Sequence, residues 1–132
     1  MRELTGHKAN GCNDALKIEV LDEPGIGGAC HDYAISFLDT SVGYHRSPIS
    51  KRHGRNCIIS FQNGPIAEVG TNGVTHEALL AIVIDRLESF QAGPYQCEEN
   101  ATALSCLLLA QAALKSRTEK RIARGVEGTH TV

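Results

Sequence analysis

Two stretches with helical spacing, separated by a glycine-proline pair, limit most strongly what this chain can fold into. Residues 75–90 begin with Thr75, a favourable N-cap, and place apolar side chains at the three- and four-residue steps of a helix. The pair Gly93-Pro94 then ends the helix, and a second apolar stripe runs over residues 98–124. We predict two helices that form an antiparallel hairpin. The apolar face of the first is so wide that we expect it to be buried on most sides.

Three shorter segments in the first half of the chain alternate between apolar and polar residues, as β-strands do. They are residues 16–21, 33–38 and 57–61. The glycine-rich segment 25–28 is not a dinucleotide-binding fingerprint, because a strand follows it where that motif needs a helix. Residues 1–14 show no periodicity and predict a loose N-terminus. The predicted fold class is α+β, with a small antiparallel sheet of about three strands followed by the helical hairpin.

The composition is that of one globular domain. The chain has 132 residues, of which 42% are hydrophobic and 21% charged, so we expect a single core for the whole chain. Within residues 1–132 we predict a β-rich part at 1–73, the hairpin at 74–124 and a C-terminal tail at 125–132. The 13 Lys and Arg against 15 Asp and Glu give a net charge of −2, which argues against binding to long nucleic acid or to an acidic membrane.

Two further features concern the compartment and the assembly. No stretch is apolar and long enough to cross a bilayer, and the N-terminus lacks an apolar export signal, so we expect a soluble, unexported protein. Five cysteines, an odd number without a C-x-x-C pair, indicate reduced thiols. A second helix of roughly 40 Å is too long for the other elements to cover. Its Leu- and Ala-rich surface beyond Leu107 is expected to pack on another copy of the chain.

The sequence contains no motif that predicts catalysis or metal binding. Serine-hydrolase, zinc-protease and phosphate-loop motifs are all missing, and the histidines lack metal-ligand spacing. Cys30, His31 and Asp32 stand side by side, but neighbours on a strand point to opposite faces. His45 begins a single His-x-Ser motif, whereas two-histidine phosphodiesterases need two. We therefore expect no catalytic residue, no metal and no cofactor.

Anion-binding features occur at two places in the second half. A loop with glycines at 64, 70 and 73 leads into the first hairpin helix, and the backbone N–H groups there suit a phosphate or simply begin the helix. Arg117, Arg121 and Arg124 project along one helix face as three unpaired like charges. They form either a solvated helix end or a phosphate clamp.

Phe90 and Asn100 are a third candidate, one at the end of the first hairpin helix and the other near the start of the second. We expect them to face each other across the turn. A phenyl ring can stack on a purine, and an asparagine can hydrogen-bond a base edge or a ribose. The plainer alternatives are core packing for Phe90 and helix capping for Asn100.

Three segments of the C-terminal half resemble the phage Thoeris anti-defence sponge family. They are FQNGPIAEVGTNGVTHEALLAIVIDRL at 61–87, FQAGPYQCEEN at 90–100 and SRTEKRIARGVEGT at 116–129. The last is similar to the helical hairpin shared with anti-CBASS sponge proteins. The segments occur in order without large gaps, and GP-I-x-E-x-G-x-NGV and RGVEGT are the most specific strings. No counterpart is placed for residues 1–56, which include a basic segment at 40–56.

The resemblance implies a non-catalytic protein that captures bacterial immune messengers intact in the cytoplasm of the infected host. The Thoeris messengers are cyclic ADP-ribose isomers with a ribose-ribose link, made by TIR-domain proteins. Cyclic trinucleotides or other cyclic oligonucleotides of CBASS are implied as ligands of a second site. The resemblance also implies self-assembly, as a homodimer or a homohexamer, and no cofactor.

Two sets of ligand-binding residues follow from the resemblance. The cyclic ADP-ribose site is implied to contain Phe90, Asn100, Phe61, Gln62, Asn63, Gly64, Pro65 and Asn72. The cyclic oligonucleotide site is implied to contain Arg117, Arg121, Arg124 and Thr129. An acidic residue in other members is matched here by Asn63, a difference that bears on the preference among ribose isomers.

Two other functions are compatible with the sequence. An enzyme that cleaves the same messenger would use His45 or His31 as its acid or base, and it would turn over ligand where a sponge saturates. A structural or protein-binding phage module would instead keep its function when Phe90 or Asn100 is replaced by alanine.

Overall fold

The fold was derived from a computed structural model, which describes residues 2–9, 11–37 and 56–132. The chain divides into two compact units, Met1–Asn63 and Gly64–Val132. The predicted basic segment at 40–56 lies outside the described residues except for its last residue. His45 also lies outside them.

The first unit is a four-stranded antiparallel sheet in the order β1-β2-β3-β4. Its strands are β1 (Arg2–Leu4), β2 (Leu16–Val20), β3 (Asp32–Phe37) and β4 (Asn56–Ser60). The last three coincide with the predicted strands, and the antiparallel arrangement is confirmed. A strand also follows the glycine-rich segment, as the rejection of the dinucleotide fingerprint requires.

The N-terminus is not loose, and that prediction is wrong. Strand β1 pairs with β2, with Leu4 opposite Ile18, and a one-turn helix, α1 (Gly11–Asp14), follows. Three residues are too few to show an alternating pattern, so the strand exists because β2 supplies partners for its backbone groups. The charged side chains of Arg2 and Glu3 suit the edge of a sheet, where they discourage further strand pairing.

The period-two pattern places the apolar side chains of neighbouring strands on one face of the sheet. Val20, only 1% exposed, lies opposite Tyr33, and Ile18 lies opposite Ile35. The ring of Tyr33 meets that of Phe61 edge to face, with 5.7 Å between centroids. These contacts form the small core of the first unit.

Asp22 holds the connection between β2 and β3. Its carboxylate accepts hydrogen bonds from the backbone N–H of His31 at 2.9 and 3.0 Å and from that of Asp32 at 3.0 Å. It also lies 3.5 Å from Nδ1 of His31. The pKa of Asp22 is held below its usual value. The largest cause is the hydrogen bond from the backbone of Asp32, followed by those from His31 and the charge of its ring, although desolvation opposes this lowering of the pKa.

This arrangement makes the first unit sensitive to acid. Because the folded pKa of Asp22 is lowered, its stabilising contribution is fully present above the unfolded pKa and is lost as pH falls through the folded pKa. We expect Asp22→Asn to lower the free energy of unfolding at neutral pH and to flatten its decline in acid, measured by urea unfolding from pH 7 to pH 2. The neighbouring Glu23→Gln is the charge-matched control. Parallel pH profiles for the wild type and Asp22→Asn would contradict this role.

The second unit is the helical hairpin with the loop before it and the tail after it. It contains α2 (Ile66–Val69), α3 (His76–Gln91) and α4 (Glu98–Ala123). The long helices α3 and α4 pack on each other, which confirms the hairpin. The loop before α3 contains α2, which is a single helical turn.

The two long helices begin with different caps. The Thr75 hydroxyl accepts a hydrogen bond from the N–H of Ala78 at 3.1 Å, as predicted. At the start of α4, Sγ of Cys97 accepts from the N–H of Asn100 at 3.4 Å, so the capping alternative for the Asn100 side chain is wrong. The side chain of Gln91 holds Cys97 through both its backbone N–H and its carbonyl, each at 3.1 Å.

Only one side of α3 is covered. Ile84 is 6% exposed, whereas Ile82 is 60% and Val83 44% exposed. Within the second unit α3 packs on α4 alone, and α4 itself has no buried residue. The prediction that α3 is buried on most sides is therefore wrong for a single chain, because one helix covers only one stripe of another.

All five cysteines are free thiols in the structure. Within the described ranges, no group of three or more His, Cys, Asp or Glu residues is placed to hold a metal ion. The helices in this part of the chain include none with the length and hydropathy of a membrane span.

Candidate functional site

A cavity of about 350 Å³ opens at the C-terminal end of α3. The last turns of this helix and the turn after it supply its lining, which consists of Asp85, Arg86, Ser89, Phe90, Gly93, Pro94 and Tyr95. Phe90 is 39% exposed, so core packing does not explain it. A phenyl ring at the surface of a cavity offers a face on which a planar base can stack.

Two residues that the sequence did not single out surround Phe90. The guanidinium carbon of Arg86 lies 5.5 Å from the centre of the Phe90 ring, within the range of a cation–π contact. Tyr95, 74% exposed, meets the same ring edge to face, with 6.4 Å between centroids. The four-residue spacing of Arg86 and Phe90 on a helix could have predicted the first contact. The second forms because the turn after α3 bends back, which the pattern does not show.

Asn100 does not line this cavity. It lies in the first turn of α4, where its backbone N–H reaches Cys97. The structure thus surrounds Phe90 with Arg86 and Tyr95, and the predicted pairing of Phe90 with Asn100 stays a prediction.

The loop implied to bind cyclic ADP-ribose is divided between the two units. Phe61, Gln62 and Asn63 end the first unit, and Gly64, Pro65 and Asn72 belong to the second. Pro65 precedes α2, and Gly64 has a φ of +94°, a left-handed conformation that favours glycine. Their joint role in one site stays a prediction.

A larger cavity of about 670 Å³ runs along the last turns of α4. Its lining contains Ala113, Ser116, Arg117, Lys120, Arg121, Arg124 and Val132. The three predicted arginines therefore lie in one groove, which we call the basic groove, together with a lysine. Four cationic side chains on one wall favour a ligand with several phosphates.

The interpretation of the three arginines as unpaired charges is wrong, because Arg121 forms an ion pair. The tail folds back on the end of α4, where Nε of Arg121 donates to Oε2 of Glu127 at 3.1 Å. Nη2 of Arg124 donates to the main-chain oxygen of Val132 at 2.8 Å. Thr129 belongs to the tail, and its hydroxyl donates to a carbonyl within it, so its ligand-binding role stays a prediction.

His31, one of the two histidines that a cleaving enzyme would use, is 9% exposed. Its ring faces Asp22 at 3.5 Å, and its own backbone N–H bonds the same carboxylate. Through these contacts His31 stabilises the β2–β3 connection.

The helical hairpin defines the class of this protein. Residues 54–118 match the family model described as Acb2/Tad1, hairpin domain. Over 99 residues the chain is 42% identical to Thoeris anti-defense 1 of Bacillus phage SBSphiJ7, an alignment that covers 70% of each protein. The chain belongs to this family of phage Thoeris anti-defence proteins, as its sequence resemblance implied. The residues that match the family model include Phe90 and Arg117 and end before Arg121 and Arg124.

Proposed function

We propose that this protein is a phage anti-defence sponge that binds and sequesters cyclic ADP-ribose isomers of Thoeris without cleaving them. Its family supports the anti-defence role. The observation that carries the ligand class is the half-exposed Phe90 ring beside the Arg86 guanidinium. Cyclic ADP-ribose joins a purine to two phosphates, so an aromatic face next to a cation complements both parts of the molecule.

Sequestration, not cleavage, is the activity that suits the Phe90 cavity. Its lining offers stacking surface, the Arg86 guanidinium, the Asp85 carboxylate and the hydroxyls of Ser89 and Tyr95. The Ser89 hydroxyl donates to the backbone carbonyl of Asp85 at 3.0 Å, so its proton is engaged within α3 and not with a general base. We expect stacking and charge pairing to hold the ligand there intact.

The basic groove is the second proposed site, for the cyclic oligonucleotides of CBASS. Arg117, Lys120 and Arg124 line it together with Arg121. A guanidinium group can donate two parallel hydrogen bonds to the oxygens of one phosphate. A cyclic trinucleotide presents three phosphates around one ring. The two sites lie at opposite ends of α4, so each ligand has its own set of contacts.

Self-assembly completes the proposal. The hairpin exposes large apolar side chains on both helices, namely Ile82, Val83, Leu108, Leu109 and Ile122. Exposed apolar surface of this kind favours contact with another protein surface. A second copy of the chain is the proposed partner, in a homodimer or homohexamer within the cytoplasm of the infected host, where the messengers are made.

Titration distinguishes a sponge from an enzyme. We expect binding of the cyclic ADP-ribose product of a TIR enzyme to saturate at a fixed ratio of ligand to protein, with no further heat or product over hours, because bound ligand is not consumed. Isothermal titration calorimetry with chromatography of the mixture measures both. Arg117→Ala is the control, since it changes the other groove and should leave this isotherm unaltered. Continuous loss of ligand at catalytic protein concentration would contradict the proposal.

A further inference from the structure

The tail occupies almost all the hydrogen-bonding capacity of Arg121. Nε donates to the Glu127 carboxylate at 3.1 Å, Nη1 to the carbonyl of Thr131 at 2.6 Å, and Nη2 to the carbonyls of Val126 and Thr129 at 2.9 and 3.2 Å. A guanidinium group has five N–H donors, so four are engaged and one on Nη1 is left. The side chain is only 11% exposed.

The RGVEGT string builds this arrangement. Gly125 has a φ of +72°, and the N–H groups of Gly125 and Val126 return to the carbonyls of Ile122 and Arg121, each at 3.0 Å. This is a Schellman ending, which reverses the chain direction after α4. The Thr129 hydroxyl then closes a turn on the Val126 carbonyl. The tail is thereby brought back over the guanidinium.

A second anchor keeps the tail near the groove. The Gly128 carbonyl accepts a hydrogen bond from the N–H of Ala67 in α2 at 3.1 Å. Nε2 of His130 lies 3.4 Å from Oε2 of Glu68, with both side chains about half exposed. The tail can therefore leave Arg121 and still remain tethered to α2.

These contacts conflict with phosphate binding by Arg121. A phosphate takes two parallel N–H donors from a guanidinium, and Arg121 has one left. The Glu127 carboxylate beside it also repels an anion. Yet Arg121 lines the basic groove next to Arg117 and Arg124.

We propose that the tail is an internal competitor for the basic groove. In the free protein Glu127 and the tail carbonyls hold Arg121, and an anionic ligand acquires Arg121 by displacing Glu127 and releasing the tail. This inference rests on the proposed second site and not on the Phe90 cavity. Because the Glu127 side chain is 35% exposed, it can move into solvent when a charged ligand replaces it.

Removing the competing carboxylate tests the exchange. We expect Glu127→Gln to bind 3′,3′,3′-cyclic triadenylate about two- to fivefold more tightly than the wild type, a range set by the strength of exposed ion pairs. Glu119→Gln removes the same charge from α4, two residues from Arg121 and therefore on a different side of the helix. It should leave the dissociation constant unchanged.

Amide hydrogen exchange reports on the tail itself. Adding cyclic triadenylate to the wild-type protein should speed exchange in the peptide that contains residues 126–132, because release from Arg121 opens the turn. Equal affinities for the wild type and Glu127→Gln, or slower exchange of this peptide on binding, would overturn the proposal. Absence of binding to either protein would also overturn the proposal. Capture of cyclic ADP-ribose at Phe90 is tested separately, by its own titration.

Discussion

Replacing Phe90 with alanine should weaken capture of cyclic ADP-ribose by about 10- to 100-fold, because a base stacked on an aromatic ring gains on the order of 1–3 kcal/mol. The ring is 39% exposed and contacts Arg86 and Tyr95, so its loss removes the stacking face without opening a core. The dissociation constant measured by isothermal titration calorimetry is the readout. Phe90→Leu should lose nearly as much, since leucine keeps apolar volume but has no π-face.

Phe37 provides the matched control for Phe90. It is 45% exposed and lies at the end of β3 in the first unit, so Phe37→Ala removes a ring of similar exposure. We expect this variant to bind the messenger as the wild type does. Unchanged affinity in Phe90→Ala, or equal losses in Phe90→Ala and Phe37→Ala, would show that the Phe90 ring does not carry recognition.

Replacing Ile84 with alanine should lower the free energy of unfolding of the hairpin by about 2–5 kcal/mol. Ile84 is the buried residue of α3, and the contact of α3 with α4 holds the second unit together. Shortening this side chain removes buried apolar surface and leaves a cavity in a small core. Urea unfolding followed by circular dichroism at 222 nm measures the change.

Ile82 is the same residue type two positions away on α3 and is 60% exposed. At a concentration at which sedimentation shows single chains, Ile82→Ala should change the free energy of unfolding by about 0.5 kcal/mol or less. At higher concentration it should lower the average mass, because Ile82 belongs to the surface proposed for self-assembly. Equal destabilisation by the two variants in dilute solution would contradict the burial difference within one chain.

The elements predicted correctly are those whose local pattern is long or sharply bounded. Helix α3 follows a good N-cap, Thr75, and ends before Gly93-Pro94, so its bounds were close to the observed ones. Strands β2 and β3 alternate over five and six residues. Strand β1 has three residues and depends on pairing with β2, which no local pattern reveals.

The candidate site was predicted less completely, because side-chain partners depend on how the chain turns back on itself. Phe90 was predicted as a stacking residue, but Tyr95 reaches it only through the turn after α3. The helical spacing of Arg117 and Arg121 placed both in one groove, as observed. It could not show that Arg121 is engaged by residues that follow α4, since that contact requires the left-handed turn at Gly125.

This protein is proposed to hold an immune messenger without altering it. The purified protein should be incubated with the cyclic ADP-ribose product of a TIR enzyme, separated from free ligand by gel filtration, and heated to release what it holds. Mass spectrometry of the supernatant should recover the intact messenger in a fixed ratio to protein, and Phe90→Ala should yield far less. Recovery of a linear or hydrolysed product from the wild type, or of no nucleotide at all, would contradict the claim.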